Sequence, residues 1–295
     1  MPRFLVILLL AGSASAGTFS TYDAIEYAAP AGKPLLMDLR VPDEPGLHPV
    51  ILYLHSGAWI TGDRFGGAAI RQASRDYAVA SIDYRLAPDN IWPAQVEDAK
   101  AAVRWLRANA ARFQLDPNRI GVVGASAGGH IAAVLGTSGG VASLEGVELG
   151  NAQDSSRVKV VVDLYGPTDL LRLEEQKLPC IPLDGNAANM PPSLLIGCAI
   201  QSCPDRTQAA NPISYITPDD PPFLILHGML DCLVPYKQSV ILHDALVANG
   251  VSSKLVLIPN GQHGGSAFGA YEKTVDDFLD ANLKAVTTVR RRAVR

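Results

Sequence analysis

Gly124, Ala125, Ser126, Ala127, Gly128 and Gly129 set one serine among small neighbours. They follow an apolar run, Arg119 to Gly124, and precede an Ala-rich stretch, His130 to Thr137. That is a G-x-S-x-G pattern in strand, turn and helix context. A strand that reverses sharply into a helix needs small residues on both sides of the turning residue, and Gly124 and Gly128 meet that need. The serine is then thrust out beside a helix N-terminus, which favours negative charge. A hydroxyl presented this way is suited to attack a carbonyl carbon. The plainer alternative is a helix-capping serine in a Gly-rich turn.

A serine hydroxyl is a weak nucleophile and needs a base. The chain offers 6 histidines. His263 lies in the run Pro259 to Gly265, just after the last expected strand, and loops after strand ends gather site residues in open α/β sheets. His227 and His55 end strands, His130 falls in the helix after Ser126, and His48 and His243 read as surface residues. An acid must orient the base. Asp231 occupies the loop after the apolar run Phe223 to His227. Asp169 competes with it, whereas Glu97 and Asp163 fall inside expected elements. The chain order Ser126, Asp231, His263 is that of α/β-hydrolases and not of other serine-hydrolase folds. In such a set His263 takes the serine proton and returns it to the leaving group, while Asp231 holds the imidazole tautomer and stabilises its cation. The tetrahedral oxyanion then needs fixed N–H donors. Ala127 supplies one directly after the nucleophile. Gly57 and Ala58, in the small-residue run His55 to Trp59, are the expected others, against the alternative of an ordinary Gly turn.

These groups must be held by a frame. Pro49 to His55, Tyr77 to Asp83, Arg119 to Gly124, Val158 to Tyr165, Phe223 to His227 and Ser253 to Ile258 are short runs rich in Val, Ile and Leu. Such runs suit strands buried on both faces of a parallel sheet. Helical periods alternate with them. From Pro93 to Asn109, Val96, Ala99, Val103 and Leu106 make one apolar stripe, which leaves Glu97, Lys100, Arg104 and Arg107 for the surface. Tyr236 to Asn249 gives a stripe through Val240, Ile241, Ala245 and Leu246, and Ala270 to Leu283 gives the last helix. The alternation predicts an α/β fold, a mostly parallel doubly wound sheet with helices on both faces. Residues 167–222 break the rhythm. They are rich in Pro, Asn and Asp and hold three of the four cysteines, which reads as a long insertion pinned by disulfides. With no internal repeat or linker, 17–285 reads as one domain with a basic tail, 286–295.

Bulk composition narrows the classes. With 48% hydrophobic residues, 18% charged residues and a net charge of −4, the chain suits a packed core and lacks the basic stripe expected for nucleic acid. Arg3 precedes an apolar run, Phe4 to Leu10, and then the small-x-small site Ala14, Ser15, Ala16. That is the layout of a secretory signal peptide over 1–16, so the expected location is secreted or periplasmic. The run is too short to span a bilayer, which takes about 20 residues. Export makes the even count of cysteines, Cys180, Cys198, Cys203 and Cys232, read as disulfides of open connectivity. A four-thiolate zinc site lacks the Cys-x-x-Cys spacing it would use.

Several blocks carry a family resemblance. His55 to Asp63, Ser81 to Pro88 and Gly124 to Gly129 resemble the hormone-sensitive-lipase-like α/β-hydrolases. Tyr165 to Asp169, Asp219 to Gly228 and Val234 to Ser239 look like the bacterial feruloyl and acetyl-xylan esterase branch of that class. The likeness runs from about Asp38 to Leu283. It implies the triad Ser126, Asp231 and His263, oxyanion donors at Gly57, Ala58 and Ala127, short-acyl or aryl ester substrates, and no metal or organic cofactor. One departure is Ser56, where the family usually carries Gly; a Cβ is tolerable there only outside positive φ. Another is the absence of a helical cap before the first strand, which leaves room for a bulky or polymeric ester. Two other classes share parts of the pattern: a prolyl-oligopeptidase-like peptidase, which normally carries a large extra domain, and a non-catalytic binding protein on the same scaffold, which typically loses a triad residue. Oligomeric state is not legible.

Overall fold

The computed structural model describes residues 18–65, 75–180 and 184–284. The expected signal peptide and basic tail lie outside the described residues.

Eight strands form one sheet: β1 (Phe19–Ala28), β2 (Leu35–Pro42), β3 (His48–Leu54), β4 (Ala78–Ile82), β5 (Leu115–Ala125), β6 (Val161–Leu164), β7 (Phe223–Gly228) and β8 (Ser253–Ile258). Their spatial order is β1-β2-β4-β3-β5-β6-β7-β8. From β4 to β8 every neighbour is parallel, while β1 with β2 and β2 with β4 are antiparallel. This is the α/β-hydrolase arrangement. Strands β3 to β8 fall on the six apolar runs. β1 and β2 were not expected. β1 is an edge strand with most of its residues exposed and two register shifts against β2, so it carries no apolar run.

The helices are α1 (Ala94–Ala108), α2 (Ala127–Thr137), α3 (Leu173–Gln176), α4 (Pro191–Ile196), α5 (Pro204–Gln208), α6 (Lys237–Ala248) and α7 (Glu272–Leu283). Strand residues alternate between two cores, as a period of two requires. Val50, Leu52 and Leu54 point toward α1, α2 and α6, while Ile51 and Tyr53 join Val275, Leu279 and Leu283 of α7 on the other face. With both faces covered, the central strands β3, β4 and β7 are buried along their whole length.

Three surface expectations are corrected. Lys100 and Arg104 are buried, not exposed. Lys100 Nζ donates to Glu145 at 2.7 Å, and the Arg104 guanidinium donates to the carbonyls of Glu145, Gly146 and Gly150. Their long stems let charges reach partners across an apolar helix face. His48 is buried, with Nε2 2.9 Å from the Glu44 carbonyl. In α6 the buried stripe is Gln238, Ser239, Leu242 and Leu246 rather than one through Val240, Ile241 and Ala245. That face is chosen by the two polar residues, whose hydrogen bonds lie around the site.

The expected insertion lies between β6 and β7 and carries α3, α4 and α5. The cysteines pair as Cys180–Cys232 and Cys198–Cys203. Among the described residues, no helix is long and apolar enough to cross a membrane.

Candidate active site

Ser126 sits between β5 and α2 at φ +55° and ψ −117°, a conformation that side chains rarely adopt. The turn is enforced by contacts that only glycine permits. A Cβ on Gly128 would lie 2.1 Å from the carbonyl oxygen of Leu54 and 2.6 Å from that of His55. The first turn of α2 therefore runs directly against the end of β3, and the N–H of Ala127 comes beside the loop that leaves β3.

That loop is held by its carbonyls. His55 Nδ1 donates to the Ser56 carbonyl at 2.6 Å, and Gly57 O accepts from the N–H groups of Ile60 and Thr61 at 3.0 and 3.1 Å. A trans peptide points its N–H opposite to its C=O. Fixing the Ser56 and Gly57 carbonyls thus fixes the N–H groups of Gly57 and Ala58. Among the described residues, the N–H groups of Gly57, Ala58 and Ala127 meet no acceptor. Gly57 has φ +121°, and Ala58 and Trp59 follow at +54° and +62°. Ser56 is not among the positive-φ residues, so its Cβ brings no backbone strain. Ala58 and Ala127 line the same cavity as Ser126.

The other two side chains come from loops after β7 and β8. His263 Nε2 lies 2.8 Å from Ser126 Oγ, and His263 Nδ1 lies 2.6 Å from Asp231 Oδ2. The Asp231 carboxylate is fully buried. Its Oδ1 accepts from the N–H groups of Leu233 and Val234 at 2.8 and 2.9 Å. Burial alone pushes this carboxyl up, but hydrogen bonds from His227 and His263 and the Val234 N–H override it. The group is held well below the usual carboxylate range. With a carboxylate at Nδ1, the imidazole carries its proton there and offers a lone pair on Nε2 to the serine.

Sequence reasoning left three supporting residues unassigned. His227 Nε2 lies 2.9 Å from the Val234 carbonyl and 3.2 Å from Asp231 Oδ2, and its Nδ1 lies 2.6 Å from Ser239 Oγ. Its place four residues before Asp231, at the end of β7, was the available signal. Tyr165, at φ +47°, packs edge-on against His263 with ring centroids 4.8 Å apart. His130 accepts from Trp59 Nε1 at 3.2 Å and donates to the Ala210 carbonyl at 2.7 Å. The rival acids are placed elsewhere. Asp169 caps a tight turn through Leu171 N–H, Glu97 pairs with Arg85, and Asp163 is buried and accepts from Gly166 N–H.

The cavity above Ser126 has a volume of about 220 Å³. One side is Trp59 and Ala58; the insertion supplies Leu173, Leu178 and Met190; the loop after Asp231 supplies Cys232 and Leu233. Such a site places an oxygen nucleophile, a base with its acid, and free N–H donors around one apolar space.

Comparison with known proteins fits this geometry. The BD-FAE family model matches residues 37–246. Esterase LipC of Mycobacterium tuberculosis is 34% identical over 228 residues, covering 76% of this chain and 54% of that protein. The chain thus spans about half the length of such curated relatives. A truncated carbohydrate esterase from gut microbiota superposes with a TM-score of 0.82 at 29% identity, covering 92% of this chain and 99% of that one. A bifunctional GH43-CE protein from Bacteroides eggerthii gives a TM-score of 0.75 at 35% identity, covering 88% of this chain and 34% of that one. With a family model matched over most of its length and this fold beneath it, the chain belongs to the BD-FAE family.

Proposed function

We propose that the protein is a serine carboxylesterase that hydrolyses short-chain or aryl esters through an acyl-enzyme on Ser126. One observation carries this reading: a single imidazole bridges the Ser126 hydroxyl and a buried carboxylate, at 2.8 and 2.6 Å. Ser126 Oγ attacks the ester carbonyl and gives its proton to His263 Nε2. The C=O electron pair moves onto oxygen, beside the N–H groups of Ala127, Ala58 and Gly57. Collapse of the intermediate expels the alkoxide, which takes the proton from His263 and leaves as an alcohol. Water then repeats the cycle on the acyl-enzyme, giving a carboxylic acid and free Ser126. Asp231 stabilises the imidazolium in both halves.

Ester groups of plant polysaccharides, acetyl or feruloyl, are the natural substrate class in this reading. Its support is the likeness to a carbohydrate esterase and the apolar cavity, which suits an acyl or aryl group. The N-terminal layout of Arg3, an apolar run and Ala14-Ser15-Ala16, together with two disulfides, supports action outside the cytoplasm.

The test is a fluorophosphonate label combined with an ester panel. Wild-type protein should label, Ser126→Ala should not, and p-nitrophenyl esters should turn over alongside acetylated xylan and methyl ferulate. Labelling that survives Ser126→Ala would overturn the nucleophile. Cleavage of a proline amide without cleavage of any ester would favour a peptidase.

A further inference from the structure

We infer that the Cys180–Cys232 disulfide sets the acyl-chain selectivity of the site, by holding the apolar wall of the insertion against the loop that carries Asp231. The inference rests on the proposed ester hydrolysis at Ser126.

Cys232 directly follows the triad acid and lines the cavity beside Leu233. Leu173, Leu178 and Met190 of the insertion line the same cavity. The first part of the insertion is tied to the body by Gln238. Its Oε1 accepts from the N–H groups of Thr168 and Asp169 at 2.7 and 2.8 Å, and its Nε2 donates to Gln176 Oε1 at 2.8 Å. Past Gln176 the anchoring changes. Gly185 N–H donates to Glu174 Oε2, Asn186 N–H to Asp184 Oδ1, Ala187 N–H to the Asp184 carbonyl, and Met190 N–H to the Ala187 carbonyl. All of these bonds stay within the insertion. The covalent link from this stretch to the catalytic frame is Cys180–Cys232, whose Cα atoms are 5.9 Å apart and 52 residues distant in sequence.

Asp231 does not depend on that link. Its oxygens are already met by Leu233 N–H, Val234 N–H, His227 and His263. Breaking the disulfide therefore acts on the wall and not on the acid. An acetyl group needs only the nucleophile and the N–H donors. A longer acyl chain gains by laying methylenes on the wall, and one methylene in an apolar pocket is worth roughly 10-fold or more in kcat/KM. The second disulfide, Cys198–Cys203, closes a span of 5 residues within the insertion and does not line the cavity. It is the internal control.

The test uses the full chain, with active sites counted by fluorophosphonate titration. The readout is the ratio of kcat/KM for p-nitrophenyl hexanoate to that for p-nitrophenyl acetate. Cys180→Ser should lower the ratio about tenfold, and wild type under dithiothreitol should follow it. Cys198→Ser with Cys203→Ser should keep the wild-type ratio. Should Cys180→Ser fail to fold, the paired change Leu178→Ala and Met190→Ala, made with the disulfide intact, should lower the ratio in the same way. An unchanged ratio in these variants overturns the inference. Equal loss on both esters also overturns it, because the disulfide would then be acting on the acid. A wild type that labels and turns over acetate, yet shows no fall in the variants, leaves the esterase reading standing without this one. A wild type that turns over neither ester sinks both.

Discussion

The turn that carries Ser126 and the insertion that shares its cavity are built on opposite plans. Every residue of α2, from Ala127 to Thr137, is buried, and its first turn is pressed against the end of β3 at a distance that excludes even a methyl group. In the insertion, none of the described residues from Lys177 to Pro192 is buried. The turn is specified many times over, by packing, by strain and by hydrogen bonds. The wall, among the described residues, carries local bonds within the insertion and the Cys180–Cys232 tether. Bond-making chemistry tolerates misplacement of well under an ångström, so it belongs on the first plan. Selectivity among acyl groups needs only apolar area at the right distance and is adjustable on the second.

If that division holds, the largest effects come from the turn and its partners. Ser126→Ala or His263→Ala should each lower kcat by about 10⁶-fold in a steady-state ester assay. Asp231→Asn should lower it by about 10⁴-fold, since an amide keeps the shape but favours the wrong imidazole tautomer. Asp231→Asn near wild type, with Asp169→Ala inactive, would move the acid to the start of the insertion and erase the contrast.

One substitution made in both regions sharpens it. Gly128→Ala drives a methyl group into the Leu54 carbonyl and should destabilise the fold by about 3 kcal/mol or more. In the wall, a Cβ on Gly185 would meet only Glu174 Oε2, at 3.4 Å, an ordinary contact with the end of a flexible side chain. Gly185→Ala should stay within about 0.5 kcal/mol of wild type. Urea denaturation of the two variants checks this, and similar midpoints would mean that the turn is no tighter than the wall.

The same division explains what could be read in advance. The G-x-S-x-G turn, the loops carrying Asp231 and His263, and the buried strands were legible because each follows from one local rule about size, polarity or period. β1 was not, because an exposed, bulged edge strand has no apolar run to announce it, and β2 was not, because its buried Met37, Leu39 and Val41 alternate with Asp38 and Arg40 instead of forming a continuous run. Lys100 and Arg104 were misplaced because their partners lie some 40 residues away, where a helical pattern cannot see them. The disulfide pairing was closed to sequence for the same reason: Cys180 meets Cys232 only once β7 and the insertion have packed. Gln238 and Ser239 show the converse, with a polar pair turned inward because the site, and not the helix period, chose the face of α6.

His130 stands where the two plans meet, and its protonation offers the smallest of these tests. Its ring accepts from Trp59, in the loop after β3, and donates to Ala210, in the insertion. Both nitrogens are thus committed to the neutral form, since a proton on Nδ1 would face the indole N–H. Burial drives its pKa down to about 4, the bond to Ala210 opposing only in part. An unfolded chain titrates this histidine near the ordinary value of about 6.5. Above that value neither state carries the proton and the contribution to stability is complete. As pH falls from about 6.5 toward 4 the unfolded chain takes up a proton that the folded one refuses, and up to about 3 kcal/mol is lost. Asp163 works in the opposite direction, because burial raises its carboxyl to about 6 and acid relieves that charge. It is present in wild type and in His130→Gln alike, so it cancels in their difference. His130→Gln should be less stable at pH 7, where the buried contacts count, and the gap should close as the pH approaches 4.5 in parallel thermal melts. Parallel curves, with a constant gap across that range, would mean that the ring takes its proton where it sits, and that the junction between turn and insertion is looser than the turn itself.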